Sequence, residues 1–168
     1  SNPSEKLYWI DADTIFFKPI TNAFLNQILP KGYYTSYLGR RDKHSETGFM
    51  GFDLQHNSNI EFMEFWKNIY DQDMIFDLPE WHDCFVYDEL RKYFEAKCAV
   101  KSFDIRKDYE DDHHPFINSP LGGFMDHLIS DRRKEAGCSF ASDLRTTRKE
   151  LYWQLVPYMP EEFVVDKI

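Results

Sequence analysis

Asp11 and Asp13 are the residues whose type and spacing most directly suggest chemistry. They stand in Tyr8-Trp9-Ile10-Asp11-Ala12-Asp13-Thr14-Ile15-Phe16-Phe17-Lys18-Pro19-Ile20, where one apolar run delivers two carboxylates and a second leads away through a proline. Leu7 to Ile10 is short, aromatic and β-branched, which predicts a buried strand. In extended backbone, side chains two apart share a face, so both carboxylates would aim at one point just beyond the strand. Convergent carboxylates repel unless a proton or cation lies between them. A hard divalent ion, Mg²⁺ or Mn²⁺, suits carboxylate, water and phosphate oxygens. The spacing alone is cheap, because Asp71 and Asp73 repeat it in a polar stretch that reads as a loop. The apolar runs on either side set the first pair apart.

The elements that must position this pair follow from local pattern. Thr21 caps a predicted helix through Leu29 with Phe24, Leu25 and Ile28 on one face, ended by Pro30. Residues 32–38 form a Tyr-rich strand, residues 39–45 a polar loop, and Phe49 to Leu54 a second buried strand. Ser58 with Glu61 makes a capping box for a helix whose Phe62, Phe65, Trp66, Ile69 and Tyr70 form a core stripe. Asp71 to Pro79 reads as a loop. Another helix begins at Trp81-His82-Asp83-Cys84, with Val86, Leu90, Tyr93 and Phe94 inward and Asp88 on the surface. Asp83 falls in its first turn, where the helix dipole favours a carboxylate. Ala99 to Ile105 is a strand, and the cluster Asp111, Asp112, His113, His114 is a solvated loop before Pro115. Ser142 to Val156 closes the chain as an amphipathic helix with Leu144, Thr147, Leu151 and Leu155 inward.

Composition narrows the classes. The 168 residues suffice for one domain with a real core, and 42% hydrophobic with 17% aromatic residues argues against disorder. The rings also offer platforms for a sugar or a base. A net charge of −9 without a basic tract makes nucleic acid a poor partner. Cys84, Cys98 and Cys138 are far apart, so neither a zinc site nor a disulfide framework is expected, and a cytoplasmic location is. No signal peptide or transmembrane run is present in the sequence.

Trp9-Ile10-Asp11-Ala12-Asp13-Thr14, two aromatics and Lys18-Pro19-Ile20 resemble the Asp-x-Asp segment of GT-A-fold glycosyltransferases. Two later blocks resemble the same family: Glu46-Thr47-Gly48 ahead of a strand, and Leu121-Gly122-Gly123 through His127 to Ser139. The resemblance implies an α/β fold, a GT-A-like (Rossmann-related) mixed sheet flanked by helices. It also implies a nucleotide-sugar donor, a saccharide or other hydroxyl acceptor, and Mn²⁺ or Mg²⁺ bridging the donor's diphosphate. His127 would join Asp11 and Asp13 as a metal ligand. Arg132, Arg133 and Lys134 would neutralise phosphate, an arginine with two parallel hydrogen bonds. Thr47 and Gly48 would contact the transferred sugar or the acceptor. If configuration inverts, the acceptor hydroxyl needs a base, with Asp83 the first choice and Glu46 the second. Retention requires none.

Two features depart from the family pattern. Members often carry Lys-Gly after such a histidine, whereas this chain has Ile129-Ser130. The Asp-x-Asp strand normally follows a segment that holds base and ribose, yet here it arrives at residue 11. Residues 1–168 are therefore expected to be a single partial domain, its metal and acceptor side, with a homo-oligomer one way to cover exposed core. Two other readings stand beside this one. A truncated or degenerate module would keep metal and sugar contacts without catalysis. A haloacid-dehalogenase-like phosphatase would use Asp11 as nucleophile and Asp13 as acid/base, with Asp111 and Asp112 on Mg²⁺, although Thr14-Ile15-Phe16-Phe17 is out of step with that motif.

Overall fold

Eight residues, Glu46–Asp53, form the strand around which the rest is layered. The computed structural model describes residues 5–16, 18–109 and 115–127. In chain order these carry β1 (Lys6–Ile10), β2 (Thr14–Phe16), α1 (Asn22–Ile28), β3 (Thr35–Leu38), β4 (Glu46–Asp53), α2 (Asn57–Asp71), α3 (Asp83–Cys98), β5 (Ser102–Asp104) and β6 (Met125–His127). The main sheet runs β1-β4-β3-β5, antiparallel except for the parallel β3–β5 pair, and β2 with β6 forms a separate antiparallel ribbon. The fold is mixed α/β. Among the described residues no helix is long and apolar enough to cross a membrane.

The six inner residues of β4 are all buried, because the strand has a core on each face. Met50 and Phe52 pack with Tyr34, Phe62, Val86, Tyr87, Leu90 and Phe94 beneath α2 and α3. Phe49 joins Phe24, Ile28, Leu38, Ile105, Phe116 and Met125 on the side of α1. Two buried hydroxyl groups of this core are matched: Tyr34 Oη donates to the Arg91 carbonyl (3.2 Å), and Thr35 Oγ1 meets Tyr87 Oη at 2.9 Å. Unmet, each would cost about 1–3 kcal/mol.

Several expectations are corrected. β1 is not buried: among the described residues it pairs only with β4, and alternation turns Leu7 and Trp9 outward, 47% and 55% exposed. In α2, Phe62 and Ile69 are buried and Trp66 is partly so, but Phe65 and Tyr70 are exposed. Tyr93 of α3 is likewise exposed, stacked on Phe65 with ring centroids 5.9 Å apart. Neighbouring aromatics on these two helices cover each other at the surface instead of entering the core. Ser58 is not the cap of α2. The cap is His56, whose ring accepts from the Ser58 N–H, and the helix starts two residues earlier. Thr21 does cap α1, accepting from the Phe24 N–H at 3.2 Å. Phe17, residues 110–114 (with Asp111, Asp112, His113 and His114), Arg132, Arg133, Lys134, Cys138 and the helix expected over 142–156 lie outside the described residues.

Candidate metal centre

Asp11 and Asp13 converge by a route other than strand alternation. β1 ends at Ile10, and the Thr14 N–H donates to the Asp11 carbonyl (3.1 Å), closing a tight turn between β1 and β2. A second tether, from the Asp11 N–H to the Gly48 carbonyl (3.0 Å), fixes that turn against β4. The turn, not extended backbone, brings the two carboxylates to one side.

His127 arrives through the small ribbon. Its register pairs Thr14 with His127, which sets the imidazole beside the turn. Nε2 lies 2.9 Å from Asp13 Oδ1 and 3.4 Å from Asp11 Oδ2, and one ligand atom from each residue falls within 4.8 Å of the others. Adjacent ligands of an octahedral ion bound at about 2.1 Å lie roughly 3 Å apart, close to the two separations of His127 from the carboxylates. Two carboxylate oxygens and one imidazole nitrogen form a donor set that Mn²⁺ accepts, with further positions left for water or phosphate. Without a cation, the imidazole is held by Asp13 directly.

Gly48 makes room for this ring. A Cβ at Gly48 would lie 2.7 Å from His127 Nδ1 and 2.8 Å from Cε1. Gly48→Ala is therefore expected to lose about 1–3 kcal/mol of stability through overpacking. By displacing a ligand, it should also weaken Mn²⁺ binding about tenfold or more. Denaturant unfolding and a Mn²⁺ titration followed by electron paramagnetic resonance read the two effects. Unchanged Mn²⁺ affinity would mean that the ring position does not matter.

A cleft of about 850 Å³ opens over the triad, lined also by Arg40, Ser45, Glu46, Thr47, Asp83 and Cys84. Both candidate bases face it. Asp83 is exposed at the start of α3, its Oδ2 accepting from Thr47 Oγ1 (2.9 Å) and its Oδ1 from the Cys84 N–H (2.8 Å). Glu46 is more enclosed: Oε1 accepts from the Gly48 N–H (3.1 Å), and Oε2 lies 3.5 Å from Arg40. Burial, and next the Asp83 carboxylate, push the Cys84 thiol above its ordinary value, which keeps it from being a thiolate nucleophile at neutral pH. Cys84 and Cys98 are both free thiols.

Family models, curated proteins and solved structures yield no match to this chain.

Seven of the ten candidate residues thus border one cleft: Asp11, Asp13, Glu46, Thr47, Asp83 and His127 line it, and Gly48 lies under the His127 ring. The remaining three, the basic run 132–134, lie outside the described residues. Sequence reasoning missed Arg40, and it misjudged Asp88. Asp88 is 5% exposed and anchors the cleft's rim, accepting from the Ser45 N–H (2.8 Å) and Ser45 Oγ (2.6 Å) while pairing with Arg91 (3.2 Å). The signal available was the Asp88–Arg91 spacing, which makes opposite charges neighbours on a helix.

Proposed function

We propose that this chain is a metal-dependent glycosyltransferase with a GT-A-like metal site, moving a sugar from a nucleoside-diphosphate sugar to an acceptor hydroxyl. The observation that carries this reading is the meeting of His127 with Asp11 and Asp13 across 114 residues of sequence (from Asp13), at the floor of a cleft that also holds Asp83. The three side chains would hold Mn²⁺ or Mg²⁺. When bound, the ion supplies positive charge where the leaving diphosphate gathers negative charge.

The chain's own groups account for the rest. Asp83 is presented with both oxygens oriented by hydrogen bonds, and each carboxylate oxygen keeps a lone pair for an acceptor hydroxyl. In an inverting reaction it would take the hydroxyl proton as the oxygen attacks. Thr47 orients that carboxylate, and Glu46, held by Arg40 and the Gly48 N–H, shapes the wall beside the triad. Arg132, Arg133 and Lys134 would supply cations to the diphosphate. A histidine facing both aspartates favours this reading over the phosphatase, whose further carboxylates would be Asp111 and Asp112.

Thermal unfolding with Mn²⁺ and each of UDP, GDP and CDP tests the proposal. The expected result is a rise in Tm with one nucleotide that disappears on chelation of the metal, since a ligand specific to the folded state stabilises it. If no nucleotide raises Tm in the presence of Mn²⁺, the donor reading fails.

A further inference from the structure

A second cleft, of about 780 Å³, adjoins the first, with Arg40 and Ser45 lining both. Its volume is that of a small-ligand site. Its charge is opposite to that of the chain. Seven Arg and Lys residues line it against three Asp, in a protein of formal net charge −9.

Two of those three aspartates already serve interior contacts. Asp88 is buried on Ser45 and Arg91, and Asp104 accepts from the Gly39 N–H (3.0 Å) and the Arg106 N–H (2.8 Å). Asp42 is the exposed one. The cations divide differently. Arg91 and Arg106 are buried structural groups, whereas Arg41, Lys43, Lys92 and Lys107 are exposed at the cleft. The Arg106 guanidinium donates to the carbonyls of Asn118 (2.9 Å) and Gly39 (2.6 Å), which braces the loop bearing Arg40, Arg41 and Lys43 from below. Positive charge is thus gathered on a supported loop, at the end of the metal cleft bounded by Arg40.

Resting on the transferase reading above, we infer that this second cleft receives the acceptor, and that the acceptor is an anionic saccharide bearing carboxylate or phosphate groups. Fixed guanidinium and ammonium groups in a concave wall recognise such oxyanions with charge-assisted hydrogen bonds. The acidic remainder of the surface repels the same ligand, which confines binding to this place. An uncharged sugar gains nothing from the arrangement.

Calorimetric titration of the whole chain with trigalacturonate, mannose 6-phosphate and uncharged maltotriose tests the inference. It is run on the wild type, on Arg41→Gln/Lys43→Gln, and on the charge-matched surface control Lys67→Gln/Lys97→Gln. At least one anionic probe should bind about tenfold or more tighter than maltotriose, and the cleft variant should lose about tenfold while the control does not. The tighter anionic probe distinguishes carboxylate from phosphate. Equal binding of maltotriose, no binding of either anionic probe, or an unchanged affinity in the cleft variant would overturn the inference. So would displacement of the anionic probe by UDP without metal, which would make the cleft a diphosphate site.

Mn²⁺ binding, followed by paramagnetic resonance on the same samples, separates the two readings. Retained Mn²⁺ binding with failed anion binding sinks the acceptor cleft alone. Anion binding lost in the cleft variant, in a protein that takes up no Mn²⁺, keeps the anionic-saccharide site and sinks the metal-dependent transferase.

Discussion

Asp13→Asn is expected to lower the affinity for Mn²⁺ by about 100-fold or more, the largest effect of any single change at the cleft floor. The substitution keeps the size of the side chain and removes its charge. Asp13 is the closer of the two carboxylates to His127, 2.9 Å against 3.4 Å for Asp11, and the more enclosed, with its side chain 27% exposed against 40%. Asp11→Asn should therefore weaken binding in the same direction by less. Loss of the ion's charge at the developing leaving group would cost transfer on the order of 10²–10³ in kcat, the range seen when one electrostatic stabiliser is removed. The direct readout is Mn²⁺ titration by paramagnetic resonance, with unfolding as a second. At a concentration about 100 times its Kd, the ion would add roughly 2.7 kcal/mol to the wild type and none to the variant. Equal Mn²⁺ binding by wild type and Asp13→Asn would remove the triad from consideration as a metal site.

Asp88→Ala should be the most damaging change to stability among residues bordering the clefts. Asp88 and Arg91 are 5% and 9% exposed, and they pair at 3.2 Å one turn apart on α3. Desolvation works against the Arg91 charge, but Tyr37, Glu95 and Asp88 more than offset it, and its pKa stands above the ordinary arginine value. The guanidinium also lies 4.1 Å from the centroid of the Tyr37 ring. Removing Asp88 leaves that buried cation with Glu95 (3.1 Å) as its remaining carboxylate partner and strands the Ser45 N–H and hydroxyl. The cost of breaking a buried pair from one side is about 3–5 kcal/mol. For a domain of this size, that corresponds to a fall in Tm of roughly 10 °C or more. Because Ser45 lines both clefts, metal and saccharide binding should weaken together with stability. An apolar double replacement, Asp88→Leu with Arg91→Met, should recover part of the loss, since it strands no charge. If Asp88→Ala unfolds at the wild-type temperature, the pair is not holding α3 to the loop.

What the amino-acid sequence determined by itself is local. Thr21, three residues before Phe24, caps α1 because a hydroxyl at that spacing meets a backbone N–H within one turn. The apolar runs around Asp11 and Asp13 become strands on either side of a turn, and Phe49 to Phe52 lies within a strand. Each of these outcomes depends on neighbours a few residues away.

Tertiary structure decided the rest. Nothing near His127 in the chain points at Asp13; the pairing of Thr14 with His127 does that, and such a register depends on how the ribbon, through Met125 and His127, seats against Phe116. Gly48 reads in sequence as a substrate contact ahead of a strand, yet it sits within the strand, where its missing side chain is the space the imidazole occupies. Leu7 and Trp9 look like core and face outward, because which face of β1 is covered depends on what packs there and not on hydrophobicity. Asp88 looks like surface and is buried, because a loop more than forty residues earlier supplies its hydrogen bonds. Long-range pairing chose the partners of Asp11, Asp13 and His127 and set the charge of the cleft beside them. Local pattern cannot encode those choices, since contacts between distant segments form only when the whole sheet and its two cores assemble together.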